Sequence, residues 1–290
     1  MNGASRFDVL LFAVHPVEFR NPFDSTLSPP HIVAVIPARY DATRLPGKPL
    51  ADIAGRPMIE HVYRRAAAAR GVDGVVVATD DQRIAAAVGR FGGIARMTRG
   101  THRTGTDRIA EVAADLACDI VLNVQGDEPL IEPAMIEQVI APLVADATLD
   151  MSTVCCAVKD PLDYTNPNVV KVVRDRRGHA LYFSRSPIPH MRSEGPAKAG
   201  PYVPQPYVGA GFSRPFKHIG LYGYRRTFLL TFAALPPTPL EVSESLEQLR
   251  ALEHGYRIHT VETQYDSIGV DTPEDLERAR RQLLAVPART

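Results

Sequence analysis

Short apolar runs rich in β-branched residues alternate with segments of helical periodicity from Ile32 onward, and this alternation constrains the fold more than any other feature. The runs at 32–36, 75–79 and 120–124 have the length and composition of buried strands. The segments between them carry apolar stripes at helical spacing. The pattern predicts a three-layer α/β fold, in which a mostly parallel (mixed), Rossmann-like sheet has helices on both faces.

Several residues in these segments are of types that favour the start of a helix. Pro57 and Pro133 can each open a helix, because proline at the first helical position lacks only an N–H that would be unpaired anyway. Asp80 or Asp81 is suited to cap a helix, and Thr106 precedes another. The predicted helices are therefore short and follow each strand closely.

The pattern changes after residue 150. Residues 151–158 predict one more strand, and the runs 169–173 and 180–183 predict an antiparallel hairpin. Residues 191–216 are rich in proline and glycine, which predicts either a long loop or lid over the site or a disordered insertion. Residues 1–30 show no sustained period and are predicted to be a loosely ordered N-terminal extension or the product of an upstream start site.

The charge balance limits the classes of partner. Lysine plus arginine equals aspartate plus glutamate at 33 each, so no overall field draws the chain to nucleic acid or to a membrane. Cys118, Cys155 and Cys156 lie in apolar segments without metal-ligand spacing, which indicates buried, reduced thiols. The early apolar run 9–14 is too short to cross a bilayer. We therefore expect a cytoplasmic protein.

A basic loop follows the first strand, at the sheet edge where open α/β folds bind ligands. Its Arg39, Arg44 and Lys48 can grip phosphate oxygens, and Gly47 lets the backbone approach a bulky anion. The loop is not a P-loop, because the first glycine and the hydroxyl residue after the lysine are missing, and the dinucleotide fingerprint is also absent from the sequence. Asp127, after the third strand, adds a hard oxygen ligand suited to Mg²⁺. The sequence thus predicts a triphosphate site.

A series of longer motifs, in order along the chain, resembles one known family. The motifs lie at 37–40, 43–49, 77–80, 123–129, 166–168, 181–185, 218–225, 246–250 and 269–275. They span about residues 31–285 and resemble the 3-deoxy-manno-octulosonate cytidylyltransferases, also called CMP-Kdo synthetases. The early motifs are shared more loosely with other sugar nucleotidyltransferases, whereas the Tyr-Phe-Ser-Arg and His-x-Gly-x-Tyr-Gly-Tyr runs point to the Kdo enzymes.

The resemblance implies a reaction in which the anomeric hydroxyl of Kdo attacks the α-phosphorus of CTP, giving CMP-Kdo and pyrophosphate for bacterial lipopolysaccharide synthesis. Reactions of this kind are accelerated mainly by positioning and by neutralising charge on the phosphates. The resemblance also implies one nucleotidyltransferase domain at 31–285, with a smaller β-rich, sugar-binding and dimerisation lobe at about 160–265, and a homodimer.

The resemblance assigns roles to the cationic loop and to two aspartates. Arg39, Arg44 and Lys48 would hold the CTP phosphates, and Asp127 with Asp271 would coordinate the Mg²⁺ cofactor. Lys48, Asp127 and Asp271 are accordingly the implied catalytic residues.

Asp271 also has a structural interpretation. Thr272, Pro273 and Asp275 have the pattern of an N-cap, a first-turn proline and a capping-box acid that begin the final helix. This pattern leaves Asp271 outside the helix, where it can reach a metal or merely stabilise the positive helix end. Glu128 is a weaker metal candidate, since it can serve only to shape the turn that follows.

The resemblance places Thr79, Asp80, Thr104 and Gly105 beside the cytosine and the ribose of the nucleotide. Their alternative role is ordinary helix capping. The chain departs from the family pattern here, with Arg103-Thr104 where Gln-Ser is common, which leaves the base contacts open.

For the sugar acid, the resemblance nominates residues that offer a cation for the carboxylate and hydrogen-bonding groups for several hydroxyls. They are Gln125, Arg185, His218, Tyr222, Glu247 and Gln248. Each has a structural alternative: Arg185 in a surface ion pair, His218 as a satisfied interior imidazole, and Glu247 on a solvated helix face.

Two other functions fit the same motifs. One is a sibling nucleotidyltransferase for another acidic sugar, such as a sialic acid. The other is a noncatalytic nucleotide-binding regulator, against which the retention of Asp127 and Asp271 argues.

Overall fold

The computed structural model describes residues 29–41, 45–190, 215–267 and 269–285. Its strands in chain order are β1 (Ile32–Ala38), β2 (Asp52–Ile53), β3 (Arg56–Pro57), β4 (Gly74–Thr79), β5 (Ile94–Met97), β6 (Ile120–Asn123), β7 (Met151–Ala157), β8 (Lys171–Arg174), β9 (Ala180–Ser184), β10 (Phe216–Arg225) and β11 (Ile258–Glu262). Its α-helices are α1 (Met58–Ala67), α2 (Gln82–Arg90), α3 (Gly105–Ala114), α4 (Pro133–Ala145), α5 (Pro161–Thr165), α6 (Arg226–Ala234), α7 (Pro239–Glu244), α8 (Gln248–Glu253) and α9 (Pro273–Ala285). A 3₁₀ turn spans Lys48–Leu50.

A nine-stranded mixed sheet forms the centre of the fold, with β11, β7, β10, β6, β1, β4 and β5 in that order and the β8–β9 hairpin attached to β10. β1 pairs in parallel with both β4 and β6, β4 with β5, and β11 with β7. β10 runs antiparallel to β6 and to β7. The predicted α/β class with a mostly parallel mixed sheet is confirmed.

Alternate residues of β1 enter two different cores, which makes the sheet the middle of three layers. Ala34 and Ile36 pack with α1, α2 and α4 on one face. Val33 and Val35 pack with α3, α6 and α8 on the other face. A strand buried on both faces is apolar at every position, which explains why the sequence predicted β1 correctly.

A third, smaller core attaches the C-terminal helix to the segment that follows the basic loop. Ile53 and Met58 pack there with Val270, Leu276 and Ala279. Arg280, on α9, donates to the backbone oxygen of Asp52 from Nε at 2.9 Å and from Nη2 at 2.6 Å. The start of α9 therefore lies beside the 3₁₀ turn of Lys48, although the two are far apart in sequence.

Pro133 is the first residue of α4, as predicted, whereas Pro57 lies one residue before α1, which begins at Met58. Asp81, rather than Asp80, caps α2 by accepting from Arg83 N at 2.8 Å. The prediction that α3 begins after Thr106 is wrong by two residues, because Thr104 and Asp107 form a reciprocal capping box and the helix begins at Gly105. The predicted antiparallel hairpin is confirmed as β8 and β9.

Three features of the sequence fall partly outside the described residues. They are the N-terminal extension at 1–28, Arg44 within the gap at 42–44, and residues 191–214 of the proline- and glycine-rich segment. The strands assigned to the smaller lobe, β8 to β11, belong to the central sheet. Within the described ranges no helix combines the length and the apolar character needed to cross a membrane.

Candidate active site

The side chains of Lys48, Asp127 and Asp271 meet at the carboxyl edge of the sheet. Lys48 Nζ donates to Asp127 Oδ2 at 2.8 Å and to Asp271 Oδ1 at 3.0 Å. The lysine side chain is only 15% exposed, whereas those of Asp127 and Asp271 are 31% and 57% exposed. One cation is thus shared between two carboxylates that face solvent.

The backbone conformation of the basic loop places Lys48 beside Asp127 and Asp271. Gly47 adopts a left-handed conformation with φ of 71°, and its N–H donates to Tyr40 O at 2.8 Å, which closes the basic loop. Pro49 is buried in the 3₁₀ turn that follows. The lysine therefore leaves a closed loop whose base is fixed.

The loop before α9 delivers Asp271. Val270 N donates to Asp127 O at 2.8 Å, so the two acidic loops are joined by a backbone hydrogen bond. Asp275 N donates to Thr272 Oγ1 at 3.2 Å and Asp275 Oδ2 accepts from Thr272 N at 3.1 Å, which confirms the predicted cap of α9. The carboxylate of Asp271 is left outside the cap and points to Lys48, so the geometry favours the cation-facing interpretation of this residue.

Opposing electrostatic effects act on this cluster. Burial lowers the pKa of Lys48, but its ion pairs with Asp127 and Asp271 outweigh burial and raise the pKa above its ordinary value. The neighbouring Glu128 is buried, and burial together with the charge of Asp127 raises the pKa of Glu128 to about 7. Ser267 Oγ donates to Glu128 Oε2 at 2.8 Å. Glu128 thus faces Ser267, whereas Asp127 faces Lys48.

Gly126 permits the loop to cross the end of β1. A Cβ at this position would lie 2.7 Å from the backbone oxygen of Pro37. Real Cβ atoms do not approach an oxygen so closely, and a backbone oxygen cannot move aside as a flexible side chain can. The glycine therefore allows Asp127 to reach the ligand edge.

We predict that Gly126→Ala destabilises the fold by about 2 kcal/mol, because the extra methyl group forces the Asp127 loop away from β1. The matched control is Gly89→Ala on α2, where a Cβ meets nothing within 4 Å. That change should stabilise the fold by about 0.5–1 kcal/mol through helix propensity. Urea unfolding of both variants measures the difference, and equal stability of the two would contradict the steric argument.

A cavity of about 200 Å³ adjoins the cluster and is lined by three of the seven predicted nucleotide-binding residues. Its walls include Arg39, Lys48, Gly105, Gln125 and Asp127. A larger cavity, of about 330 Å³, is lined mainly by residues of α1, α2 and the segment before α1, and by none of the predicted site residues. The charged groups of the predicted site thus converge on the smaller of these two cavities.

The structure assigns clear local partners to the residues predicted to lie beside the base and ribose. Thr79 Oγ1 accepts from Asp81 N at 3.2 Å, and Thr104 accepts from Asp107 N at 3.1 Å as the cap of α3. The capping alternative is therefore realised for Thr104. Asp80 Oδ2 accepts from Arg108 Nη2 at 2.8 Å.

Arg108 is a residue that the sequence analysis missed. Its side chain is 1% exposed, donates to Asp80 and to Thr98 Oγ1, and lines the same cavity as Arg39 and Lys48. A local signal existed, because Arg108 interrupts the apolar stripe of a helix that begins at the ligand edge. A charged residue on a buried helix face needs a partner, which Asp80 provides here.

A second cavity, of about 140 Å³, contains four of the six residues predicted to bind the sugar. They are Gln125, Tyr222, Glu247 and Gln248. This cavity shares Gly105 and Gln125 with the first, so the two are adjacent. Burial raises the pKas of Tyr222 and Glu247, and a hydrogen bond from Thr106 Oγ1 at 2.7 Å partly offsets the effect on Glu247.

Polar atoms inside the second cavity are only partly paired. Glu247 Oε1 is buried and has a salt bridge to Arg250 Nη2 at 3.7 Å, but it has no hydrogen-bond partner among the described residues. Gln125 Nε2 donates to Asn123 Oδ1 at 3.0 Å. A buried carboxylate oxygen without a donor is unfavourable, and a polar ligand in this cavity would relieve it.

Arg185 and His218 lie outside the walls of both cavities. Three backbone oxygens accept from the Arg185 guanidinium, at 2.7 Å (Glu244), 3.0 Å (Pro167) and 3.3 Å (Ser245). His218 Nε2 is hydrogen-bonded to Thr153 Oγ1 at 2.9 Å, and burial lowers the pKa of His218 to about 3. The neutral imidazole packs against Tyr222 with ring centroids 5.2 Å apart, so His218 supports a cavity residue.

Comparisons with known proteins agree with this geometry. A family model described as cytidylyltransferase matches residues 33–258. A 3-deoxy-manno-octulosonate cytidylyltransferase of Geobacter metallireducens is 58% identical over 87% of this chain and 97% of its own length. One of Pelobacter propionicus is 55% identical over 89% of this chain and 100% of its own length. The solved structure of a CMP:2-keto-3-deoxy-manno-octonic acid synthetase complexed with CTP is 45% identical, with a TM-score of 0.79 over 88% of this chain and 98% of that one.

A mixed α/β sheet with a cationic cavity at its carboxyl edge, together with the matching family model, defines a cytidylyltransferase. At identities of 55% and 58% over nearly the whole length of both relatives, the class can be narrowed. The chain belongs to the 3-deoxy-manno-octulosonate cytidylyltransferase family.

Proposed function

We propose that this protein transfers CMP from CTP to the anomeric hydroxyl of Kdo, releasing pyrophosphate, in an Mg²⁺-dependent reaction that serves lipopolysaccharide synthesis in the cytoplasm. The observation that carries the proposal is the convergence of Lys48, Asp127 and Asp271 beside two adjacent cavities. One cavity is cationic and the other is lined by hydrogen-bonding groups. This arrangement suits a triphosphate next to a polyol acid.

The residues present fit a magnesium ion. Asp127 and Asp271 supply two hard carboxylate oxygens, and both already bind a cation in the form of the Lys48 ammonium. In the described part of the chain, this site included, no three His, Cys, Asp or Glu side chains form a group that could hold a metal by themselves. The two aspartates would therefore share the ion with phosphate oxygens of the substrate, as is usual for Mg²⁺. When bound, Mg²⁺ supplies neutralisation of phosphate charge and lowers the pKa of a hydroxyl that it touches.

We assign the binding of the CTP phosphates to the cationic side chains of the first cavity and its basic loop. Arg39 is exposed in the wall of the first cavity, and Lys48 lies at its base. We assign both to the CTP phosphates together with Arg44, because arginine forks and a lysine charge stabilise the negative charge that grows on the leaving pyrophosphate. Thr79, Asp80, Thr104 and Gly105 are assigned to the base and ribose side.

The second cavity is assigned to Kdo. Gln125, Tyr222, Glu247 and Gln248 offer acceptors and donors for its hydroxyls. Glu247 Oε1 has a salt bridge to Arg250 but no hydrogen bond among the described residues, so it can accept from such a hydroxyl. Arg185 and His218 complete the proposed set, with His218 acting through its contact with Tyr222.

We also propose a homodimer formed through the smaller lobe. Leu181 on β9 is 62% exposed, and Leu240 and Val242 on the nearby α7 are 40% and 68% exposed. Large apolar side chains exposed on neighbouring elements are typical of a contact between protein chains. Light scattering coupled to gel filtration measures the mass in solution, and a monomer at micromolar concentration would contradict the proposal.

The purified protein should release pyrophosphate from CTP only when Kdo is present, and not when a sialic acid replaces Kdo. Release should be much slower with UTP or ATP, and chelation of divalent ions should stop it. Faster release with a sialic acid would identify the sibling enzyme instead. Binding of CTP without turnover for any 2-keto sugar acid would favour the noncatalytic regulator.

A further inference from the structure

Lys171 on β8 is a fully buried lysine with an unusual set of partners. Its residue exposure is 0%, yet among the described residues its ammonium donates to no carboxylate. Three backbone oxygens accept instead, at 2.9 Å (Asn166), 2.6 Å (Val169) and 2.6 Å (Arg185). An ammonium has three N–H donors, so each donor has one acceptor. Burial lowers the pKa of Lys171 and the charge of Glu244 opposes this effect.

The three acceptors belong to two separate segments. Asn166 and Val169 lie in the turn after α5, and Arg185 directly follows β9. The same two segments are joined a second time, because Arg185 Nη1 donates to Pro167 O at 3.0 Å. The Lys171 ammonium and the Arg185 guanidinium therefore both bind backbone oxygens of the turn 166–169. We call Lys171, Arg185 and this turn the Lys171 cluster.

Further hydrogen bonds connect the Lys171 cluster to the residues just before α8. The carboxylate of Glu244 accepts from Arg185 N at 2.9 Å and from Ser184 Oγ at 2.6 Å. Ser245 follows in a left-handed conformation with φ of 51°, and its oxygen accepts from Arg185 Nη2 at 3.3 Å. Two residues later the chain reaches Glu247 and Gln248, which line the second cavity.

The Lys171 cluster is also connected, through β10, to Tyr222 in the wall of that cavity. Val170 O accepts from His218 N at 2.8 Å, and the His218 ring packs against Tyr222. The Lys171 ammonium is thus linked, through the turn 166–169 and through Arg185, to the segments that carry Tyr222, Glu247 and Gln248. An apolar side chain would fill the same interior position without the cost of burying a charge, so packing alone does not account for a lysine here.

We propose that Lys171 is a positioning residue for the sugar-acid cavity, holding the turn 166–169 and the β9 end in the register that sets Tyr222, Glu247 and Gln248. This inference rests on the proposed function, because it takes the second cavity to be the Kdo site. It assigns Lys171 no contact with substrate.

The test compares steady-state kinetics of Lys171→Met, Lys171→Arg and a matched control. Arg226→Met is the control, because Arg226 is also a cation bonded to backbone oxygens, donating to Ala113 O and Ala114 O at 2.7 Å each, and it lines neither site cavity. Each KM is measured below the unfolding temperature of that variant. Wild-type release of pyrophosphate from CTP and Kdo establishes the proposed function separately, before any variant is assayed.

Lys171→Met should raise the KM for Kdo at least tenfold while the KM for CTP stays within twofold. Lys171→Arg should show a smaller rise in the KM for Kdo, because arginine keeps the charge but cannot direct three donors from one nitrogen. This variant provides the test if Lys171→Met does not fold. Arg226→Met should lower the melting temperature and leave both KM values unchanged. Lower stability of the Lys171 variants with an unchanged KM for Kdo, or equal rises in both KM values, would overturn the proposal.

Discussion

Replacing Asp127 by asparagine is expected to lower kcat about a thousandfold, because the change removes one of the two carboxylates proposed to hold the cation that neutralises the triphosphate. The amide keeps the shape of the side chain, and Lys48 retains its bond to Asp271 at 3.0 Å. Asp127 is also partly exposed, so the lost ion pair should alter the free energy of unfolding by less than about 1 kcal/mol. Stopped assays of pyrophosphate release and thermal unfolding measure the two quantities.

Asp115→Asn is the matched control for this change. Asp115 follows the opposite end of α3 from Gly105, is exposed, and loses the same single charge. It should keep the kcat of the wild-type protein. Asp127→Asn with unchanged turnover, or with a loss explained entirely by unfolding, would contradict the role given to Asp127.

Replacing Lys48 by methionine is expected to change two affinities in opposite directions. CTP should bind at least a hundredfold more weakly, since a cation near the phosphates is lost. Mn²⁺, used as a probe for the divalent site, should bind at least tenfold more tightly in the absence of nucleotide. The reason is that Lys48 neutralises both Asp127 and Asp271, and unit charges 4 Å apart interact by about 4 kcal/mol at an effective dielectric of 20.

Lys217→Met provides the control for nucleotide binding. Lys217 resembles Lys48 in that it bonds to two aspartates, Asp163 at 3.0 Å and Asp266 at 2.6 Å, with a side chain 14% exposed. Its removal should leave CTP affinity unchanged. For the metal, adding Asp127→Asn to Lys48→Met should remove the gain in Mn²⁺ affinity. Calorimetry measures all of these, and a Lys48→Met protein with normal CTP affinity would refute the assignment.

Four of the strands that the sequence predicted share one physical property, which is burial on both faces, whereas the predicted β8–β9 hairpin is partly exposed. β1, β4, β6 and β7 are nearly continuous apolar runs, and each appears close to its predicted bounds. β5 was not predicted because it is an edge strand with an exposed Ile94 and lacks that signature. β10 contains Gly220 and Gly223, which weaken a local strand signal. At Gly223 a Cβ would lie 2.7 Å from Val139 Cγ1, so a larger residue there would force neighbouring side chains to move.

The candidate site was predictable to the extent that local motifs carry it. Lys48 and Asp127 stand at loop positions that the alternating pattern placed at the ligand edge. Asp271 was placed there only by resemblance, because its contact with Lys48 spans 223 residues and depends on the third core around Val270. The packing of Arg185 against backbone oxygens, and the burial of Lys171 behind it, arise from tertiary contacts that no local pattern records.

The central claim is that Asp127 and Asp271, distant in sequence, hold one divalent cation beside CTP. Electron paramagnetic resonance of free Mn²⁺, titrated with protein and CTP, tests it without relying on turnover. The wild-type protein should remove Mn²⁺ from the free signal, and Asp127→Asn and Asp271→Asn should each weaken that binding at least tenfold. Equal Mn²⁺ binding by the wild-type protein and both variants would contradict the account.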